Sequence, residues 1–138
     1  MRLGRTAAVV ILALAARASN QASFFQASVP FDFVLGRETL PAGTYLVQML
    51  GGNDGTGVVV VKSSDGSVLQ SIITRLSAAS PRERSRNSRL LFLQYQGKRY
   101  LKRFLIAGDR MTQQVVNVPE HTPSQGASLL EVRLVRLH

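Results

Sequence analysis

The chain has 138 residues, 45% of them hydrophobic, and carries 17 Lys and Arg against 8 Asp and Glu, a formal net charge of +9. It has no cysteine and only two histidines, His121 and His138. Disulfides, thiolate metal sites, iron–sulfur clusters and thiol catalysis are therefore excluded, and the length allows one domain with a modest core.

Met1-Arg2-Leu3-Gly4-Arg5 places two cations ahead of an uncharged, mostly apolar run over residues 6–16 (TAAVVILALAA). Ala16-Arg17-Ala18 follows, with small residues at the two positions a signal peptidase inspects. This order of charge, apolar run and A-x-A site predicts a secretory signal peptide over residues 1–18. Arg17 interrupts the site, which leaves Ala22 as a second cleavage point. The apolar run is well short of the ~20 residues a permanent membrane-spanning helix needs, and no later run is long enough. Three of the cations, Arg2, Arg5 and Arg17, belong to this segment; without it 14 cations face 8 acids, a net of +6. The expected product is an exported chain, periplasmic or extracellular, with no cysteine for acyl anchoring.

From Phe25 to Leu35 the odd positions are apolar and the even ones mostly polar, the alternation of a half-buried strand. Pro30 lacks an N–H and predicts an edge strand or a bulge there. Gly36-Arg37-Glu38 is a connection. Leu40-Pro41-Ala42-Gly43 reads as a type II-like turn with positive φ at Gly43. Thr44–Leu50 is a strand, residues 51–57 (GGNDGTG) a hairpin tip, and Val58–Val61 a β-branched run. Ser64-Asp65-Gly66-Ser67 is a hairpin turn, and Val68–Thr74 returns as a strand.

Residues 81–88 (PRERSRNS) lack aliphatic side chains and are expected as a loop. Arg89–Tyr95 and Lys98–Ile106 form a hairpin about Gln96-Gly97. A two-residue turn sets Tyr95 opposite Lys98, Leu93 opposite Tyr100 and Leu91 opposite Lys102. Both faces hold apolar side chains, so this hairpin is expected to be central. Met111–Val118 reads as a short helix or a strand, residues 122–126 (TPSQG) as a linker, and Leu129–Leu137 as a last strand or an amphipathic helix.

The expected fold is all-β, preceded by the signal helix. It is a small antiparallel β-sandwich of Ig or prealbumin type, or a small barrel, of about six to eight strands. The β-domain is placed at residues 19–120 and a C-terminal tail at 121–138. Phe31, Phe33, Tyr45, Phe92 and Tyr100 are assigned mainly to its core.

Val29-Pro30-Phe31-Asp32-Phe33-Val34-Leu35-Gly36, running into Leu40-Pro41-Ala42-Gly43-Thr44-Tyr45, resembles the opening motif V-P-F-D-F-x-x-G-x-x-x-L-P-A-G-x-Y of a family of small exported bacterial β-proteins. Ser63-Ser64-Asp65-Gly66, the Leu90–Tyr95 hairpin with Tyr100, and Ala107-Gly108 extend the resemblance over residues 29–120. It implies an exported β-domain and carries no activity, ligand or catalytic residue with it. The L-P-A-G-x-Y turn also resembles that of prealbumin-like and Ig-like modules, which ranks a sandwich ahead of a barrel. The arginine-rich 82–89 loop and the tail after Glu120 depart from the family pattern.

For chemistry the sequence offers little. One histidine sits in the linker and the other is the last residue, so no metal pair or Ser-His-Asp set suggests itself. Asp32 between two phenylalanines reads as a turn acceptor or a solvent-facing group rather than a tuned acid. The glycine-rich 51–57 tip lacks the Lys-Ser/Thr ending of a phosphate loop. No catalytic residue, cofactor or metal ligand is expected. The one candidate surface is cationic: Arg82, Arg84, Arg86 and Arg89, followed by Lys98, Arg99, Lys102 and Arg103 interleaved with Tyr100 and Phe104. Guanidinium groups bind phosphate and sulfate bidentately, and aromatic rings stack on bases or sugars. The sequence thus predicts a non-enzymatic exported structural or interaction module of the cell envelope and leaves its partner open between envelope polyanions and another envelope protein. The alternative is a binder of lipopolysaccharide, acidic polysaccharide or DNA.

Overall fold

A computed structural model describes residues 23–51, 55–85, 87–116, 118 and 126–137. The segment expected as a signal peptide, the centre of the glycine-rich tip, Arg86 and both histidines lie outside them.

The chain is nearly all β. In order it forms β1 (Ser23–Val29), β2 (Phe33–Leu35), β3 (Glu38–Leu40), β4 (Gly43–Gly51), β5 (Thr56–Ser63) and β6 (Leu69–Ala78). A short helix, α1 (Pro81–Ser85), precedes β7 (Arg89–Tyr95), β8 (Lys98–Leu105), β9 (Met111–Val115), β10 (Ser128–Arg133) and β11 (Val135–Arg136). The alternation at the start is real, but one strand becomes two. β1 ends at Val29 because Pro30 has no N–H to give the ladder, and the chain turns before β2 begins at Phe33. Gly43 is the first residue of β4, opposite Val29, and it is absent from the positive-φ residues, so the expected type II bend is not formed.

Among the described residues eleven strands form one mixed sheet, ordered β10-β7-β8-β9-β6-β5-β4-β1-β11, with β2 joining off this path through β3 and a parallel pairing to β8. The expected count of six to eight was low because short strands split at Pro30, at the Gly36-Arg37 turn and at Leu134. The tail beyond Glu120 supplies the strand at each end of this order. β10 pairs with β7 from Ser128↔Gln94 to Arg133↔Arg89, and β11 pairs with β1 through Phe25↔Arg136 and Gln26↔Val135. Only Leu134 separates them, and its N–H donates to Ser88 O at 3.0 Å. Three residues later Leu137 N–H donates to Phe24 O at 2.8 Å. One terminal segment therefore ties down both ends of the sheet.

The inward residues of these strands make a single core. Phe25, Phe33, Tyr45, Val47, Val59, Val61, Phe92, Leu101, Phe104, Val132 and Leu134 all belong to it and are buried. Phe33 packs edge-on against both Tyr45 (centroids 5.4 Å) and Phe92 (5.5 Å), the arrangement aromatic quadrupoles favour. Phe31 is half-buried against Phe92 at 5.0 Å. Tyr100, assigned from sequence to the core, is half-buried and outside the cluster.

Gln96 (φ 50°) and Gly97 (φ 77°) make the two-residue turn that joins β7 to β8, both central residues left-handed as a type I′ hairpin requires. The register runs as expected at Tyr95↔Lys98 and Leu93↔Tyr100, then shifts, so that Leu91 faces Arg103 instead of Lys102. The extra residue in β8 is Lys102, a β-bulge. It lets Leu101 and Phe104, three apart, both face the core.

Candidate functional site

The opening motif is the local scaffold. Asp32 is exposed and accepts the Ala42 N–H at 2.9 Å, holding the loop before β2 against the turn before β4. The Tyr45 hydroxyl donates to Pro41 O. Burial, helped by the negative charge of Asp32 and Asp65, pushes its pKa up from the ordinary phenol value. Asp32 thus acts as a turn acceptor.

Among the described residues, the cations named from sequence are spread along the β7–β8 hairpin and α1. Arg89 and Lys98 stand at opposite ends of β7 and its turn, roughly 20 Å apart at ~3.3 Å per strand residue. Arg89 is buried at 6% exposure, its Nε 3.3 Å from Glu131 Oε2 on β10 and its Nη1 donating to Asn87 O at 2.9 Å. Arg103 lies 3.1 Å from Glu83 on α1 and donates to Thr112 Oγ1 at 3.0 Å. Arg99 stacks 4.8 Å over the Phe31 ring and donates to Gln94 Oε1. Lys98 is exposed at the hairpin tip and Lys102 half-buried at the bulge. Arg82 and Arg84 lie on α1, Arg82 exposed; Arg86 falls outside the described residues.

The segment read as a loop is helical because Ser80-Pro81-Arg82-Glu83 is a capping box. Glu83 N–H donates to Ser80 Oγ (3.1 Å) and Ser80 N–H to Glu83 Oε1 (2.9 Å), with Pro81 at the first helical position. That Ser80 N–H, followed by nearby Arg103, holds the Glu83 carboxyl below its usual pKa. At the other end of the former loop, Asn87, Ser88, Arg89, Glu131 and Arg133 line a polar cleft of about 220 Å³.

A second surface was not foreseen. β1, β4, β5 and β6 are consecutive in the sheet, and their outward residues are in register. One row reads Leu50, Val58, Ile73; the next Phe24, Gln48, Val60, Ser71; the third Gln26, Leu46, Lys62, Leu69. Phe24 (39%), Leu46 (36%), Val58 (37%), Leu69 (42%) and Ile73 (62%) are all exposed large apolar side chains. At their centre Gln48 is only 3% exposed, and among the described residues neither its Nε2 nor its Oε1 has a hydrogen-bond partner. Phe24, Leu46, Gln48, Val60 and Lys62 line a cleft of about 130 Å³ there. The signal in the sequence was Val58–Val61: four β-branched residues in a row need cover on both faces of a strand.

Among the described residues no three His, Asp or Glu are placed to hold a metal ion, and no helix is long and apolar enough to cross a membrane. No protein-family model, curated protein or solved structure matches the chain.

Proposed function

We propose that this chain is a small exported β-barrel module of the cell envelope that works by binding a partner rather than by catalysis, and that the outer face of β1, β4, β5 and β6 is its working surface. The observation that carries this reading is the exposed apolar set around Gln48. Soluble monomers seldom present a contiguous apolar area of that kind unless something docks on it. Barrel closure is supported by the terminal segment, which hydrogen-bonds to β7 on one side and β1 on the other, and by the single core cluster. Export is supported by the charge, apolar run and A-x-A order of the first 18 residues.

The polyanion reading comes second. Three of its arginines, Arg89, Arg99 and Arg103, already have protein partners. Its remaining support is the polar cleft lined by Arg89, Arg133 and Glu131, where Arg89 pairs with the Glu131 carboxylate.

Expression of the full chain in a bacterial host with a C-terminal affinity tag, followed by fractionation and N-terminal mass analysis, tests the main reading. A chain trimmed near Ala18 or Ala22 in the envelope or medium is the expected result. An untrimmed chain confined to the cytosol overturns it.

A further inference from the structure

The proposal above leaves the partner of the apolar face open, and the charges around that face narrow it. Each of the four strands alternates, so its outward members can be read from the register. On β4 and β5 they are Thr44, Leu46, Gln48 and Leu50, then Thr56, Val58, Val60 and Lys62. On β6 the outward members that pair with β5 are Leu69, Ser71, Ile73 and Arg75. β1 adds Phe24, Gln26 and Ser28. The ionisable groups in these outward positions are Lys62 and Arg75, both cationic; no Asp or Glu stands among them. An apolar field whose outward strand positions carry only positive charge is complementary to a surface that is apolar inside and anionic at its rim.

A second copy of the chain fits this face poorly. A two-fold interface sets the same patch against itself, bringing Lys62 and Arg75 of both copies together with no acid to offset them. Gln48 gives a further indication. A buried amide left without a partner destabilises the fold, so the burial of Gln48 among apolar side chains, unpartnered among the described residues, calls for an occupant that carries hydrogen-bonding groups beside apolar chains. Glycerol esters and headgroups of lipids have that arrangement, with acceptors at the level where the acyl chains begin. The cleft of about 130 Å³ beside Gln48, with Lys62 at its edge, has apolar walls suited to a short acyl segment.

We infer that the outer face of β1, β4, β5 and β6 docks on an anionic lipid surface. Val58, Ile73 and Phe24 enter the apolar layer, Gln48 meets the ester level, and Lys62 and Arg75 face the headgroup charge. This inference rests on the proposed interaction role of the same face and specifies its partner.

The test is co-flotation of the full chain with vesicles of phosphatidylglycerol and phosphatidylethanolamine, against vesicles of phosphatidylcholine alone, in 0.1 M salt. Circular dichroism establishes that each variant is folded. The chain is expected to float with the anionic vesicles and to bind the neutral ones far less. Lys62→Gln with Arg75→Gln should lower anionic partitioning about 25-fold, since each cation near such a surface contributes roughly 1 kcal/mol, about fivefold. Val58→Ser with Ile73→Ser should lower it by at least about tenfold. Because residues 6–16 are themselves apolar, Ile11→Ser with Leu14→Ser serves as the companion variant. Binding kept by that variant and lost by the two face variants supports the inference. Binding lost by the companion and kept by the face variants overturns it. Light scattering separates this failure from failure of the interaction role. A concentration-dependent dimer that Val58→Ser with Ile73→Ser abolishes would retain an interaction face but refute the lipid partner. A chain that stays monomeric and binds neither vesicle would refute both.

Discussion

Leu134→Ala tests whether the C-terminal segment holds the sheet together. Leu134 is 4% exposed and belongs to the same core as Phe25 and Phe92, yet it sits in the single-residue break between two strands paired to different partners. Truncating a buried leucine costs about 2–5 kcal/mol, depending on how far the site collapses around the gap. Here collapse is restrained on both sides, by the Leu134 N–H on Ser88 O and the Leu137 N–H on Phe24 O. A value near the middle, about 3 kcal/mol, is therefore expected. With a urea m-value of about 2 kcal/mol/M, the midpoint should fall by about 1.5 M. The chain has no tryptophan, so far-UV circular dichroism or tyrosine fluorescence follows the transition. Val135→Ala, one residue on but 54% exposed, serves as the control and should change stability by no more than about 0.5 kcal/mol. A Leu134→Ala loss below about 0.5 kcal/mol, with faster hydrogen exchange confined to residues 134–137, would refute the reasoning. The segment would then open by itself, and the two sheet ends would not belong to one cooperative unit.

Tyr45→Phe removes the hydroxyl that donates to Pro41 O inside the opening motif and should cost about 1 kcal/mol by urea denaturation, as a part-buried hydrogen bond does. Gly57→Ala would set a Cβ 2.9 Å from the Leu50 carbonyl and 2.7 Å from Gln113 Oε1. The side chain can swing away but the paired backbone cannot, so about 1–3 kcal/mol should be lost. Asp65 accepts the Ser67 N–H together with the Ser67 and Ser63 hydroxyls, which lowers its pKa to about 2. A depressed carboxylate stabilises the fold above its unfolded pKa of about 4, and that contribution is lost as pH falls through 2. Thermal midpoints of the chain and of Asp65→Ala should therefore differ most above pH 4 and converge toward pH 2.

Strand alternation was legible wherever one face alone was buried. Phe25, Ala27 and Val29 face the core as their spacing requires, with Phe24, Gln26 and Ser28 exposed between them. The turns at Gly66 (φ 80°) and at Gln96-Gly97 were legible because their chemistry is local. β9 was not: in Met111-Thr112-Gln113-Gln114-Val115 the residue most buried after Val115 is Thr112. Its hydroxyl is satisfied by Arg103 on the preceding strand and by Ser77, 35 residues back on β6. β10 and β11 were ambiguous because Leu129 and Val135 are apolar but exposed, which blurs the period.

The cationic cluster shows why charge spacing alone does not define a site. Arg89 and Arg103 are answered by Glu131, 42 residues on, and Glu83, 20 residues back. No local reading pairs them, and the Lys102 bulge alters which cations share a face. The apolar face failed to register for the opposite reason. In a run of β-branched residues the outward members cannot be told from strand propensity, so Val58 and Val60 do not mark a second surface in the sequence. A strand with one face in the core and the other still apolar has two burial requirements, and this fold meets only the first. Gln48 sharpens the point. A polar residue kept at the centre of such a face, at a cost to stability and without a partner among the described residues, is what a surface shaped by an external ligand would retain.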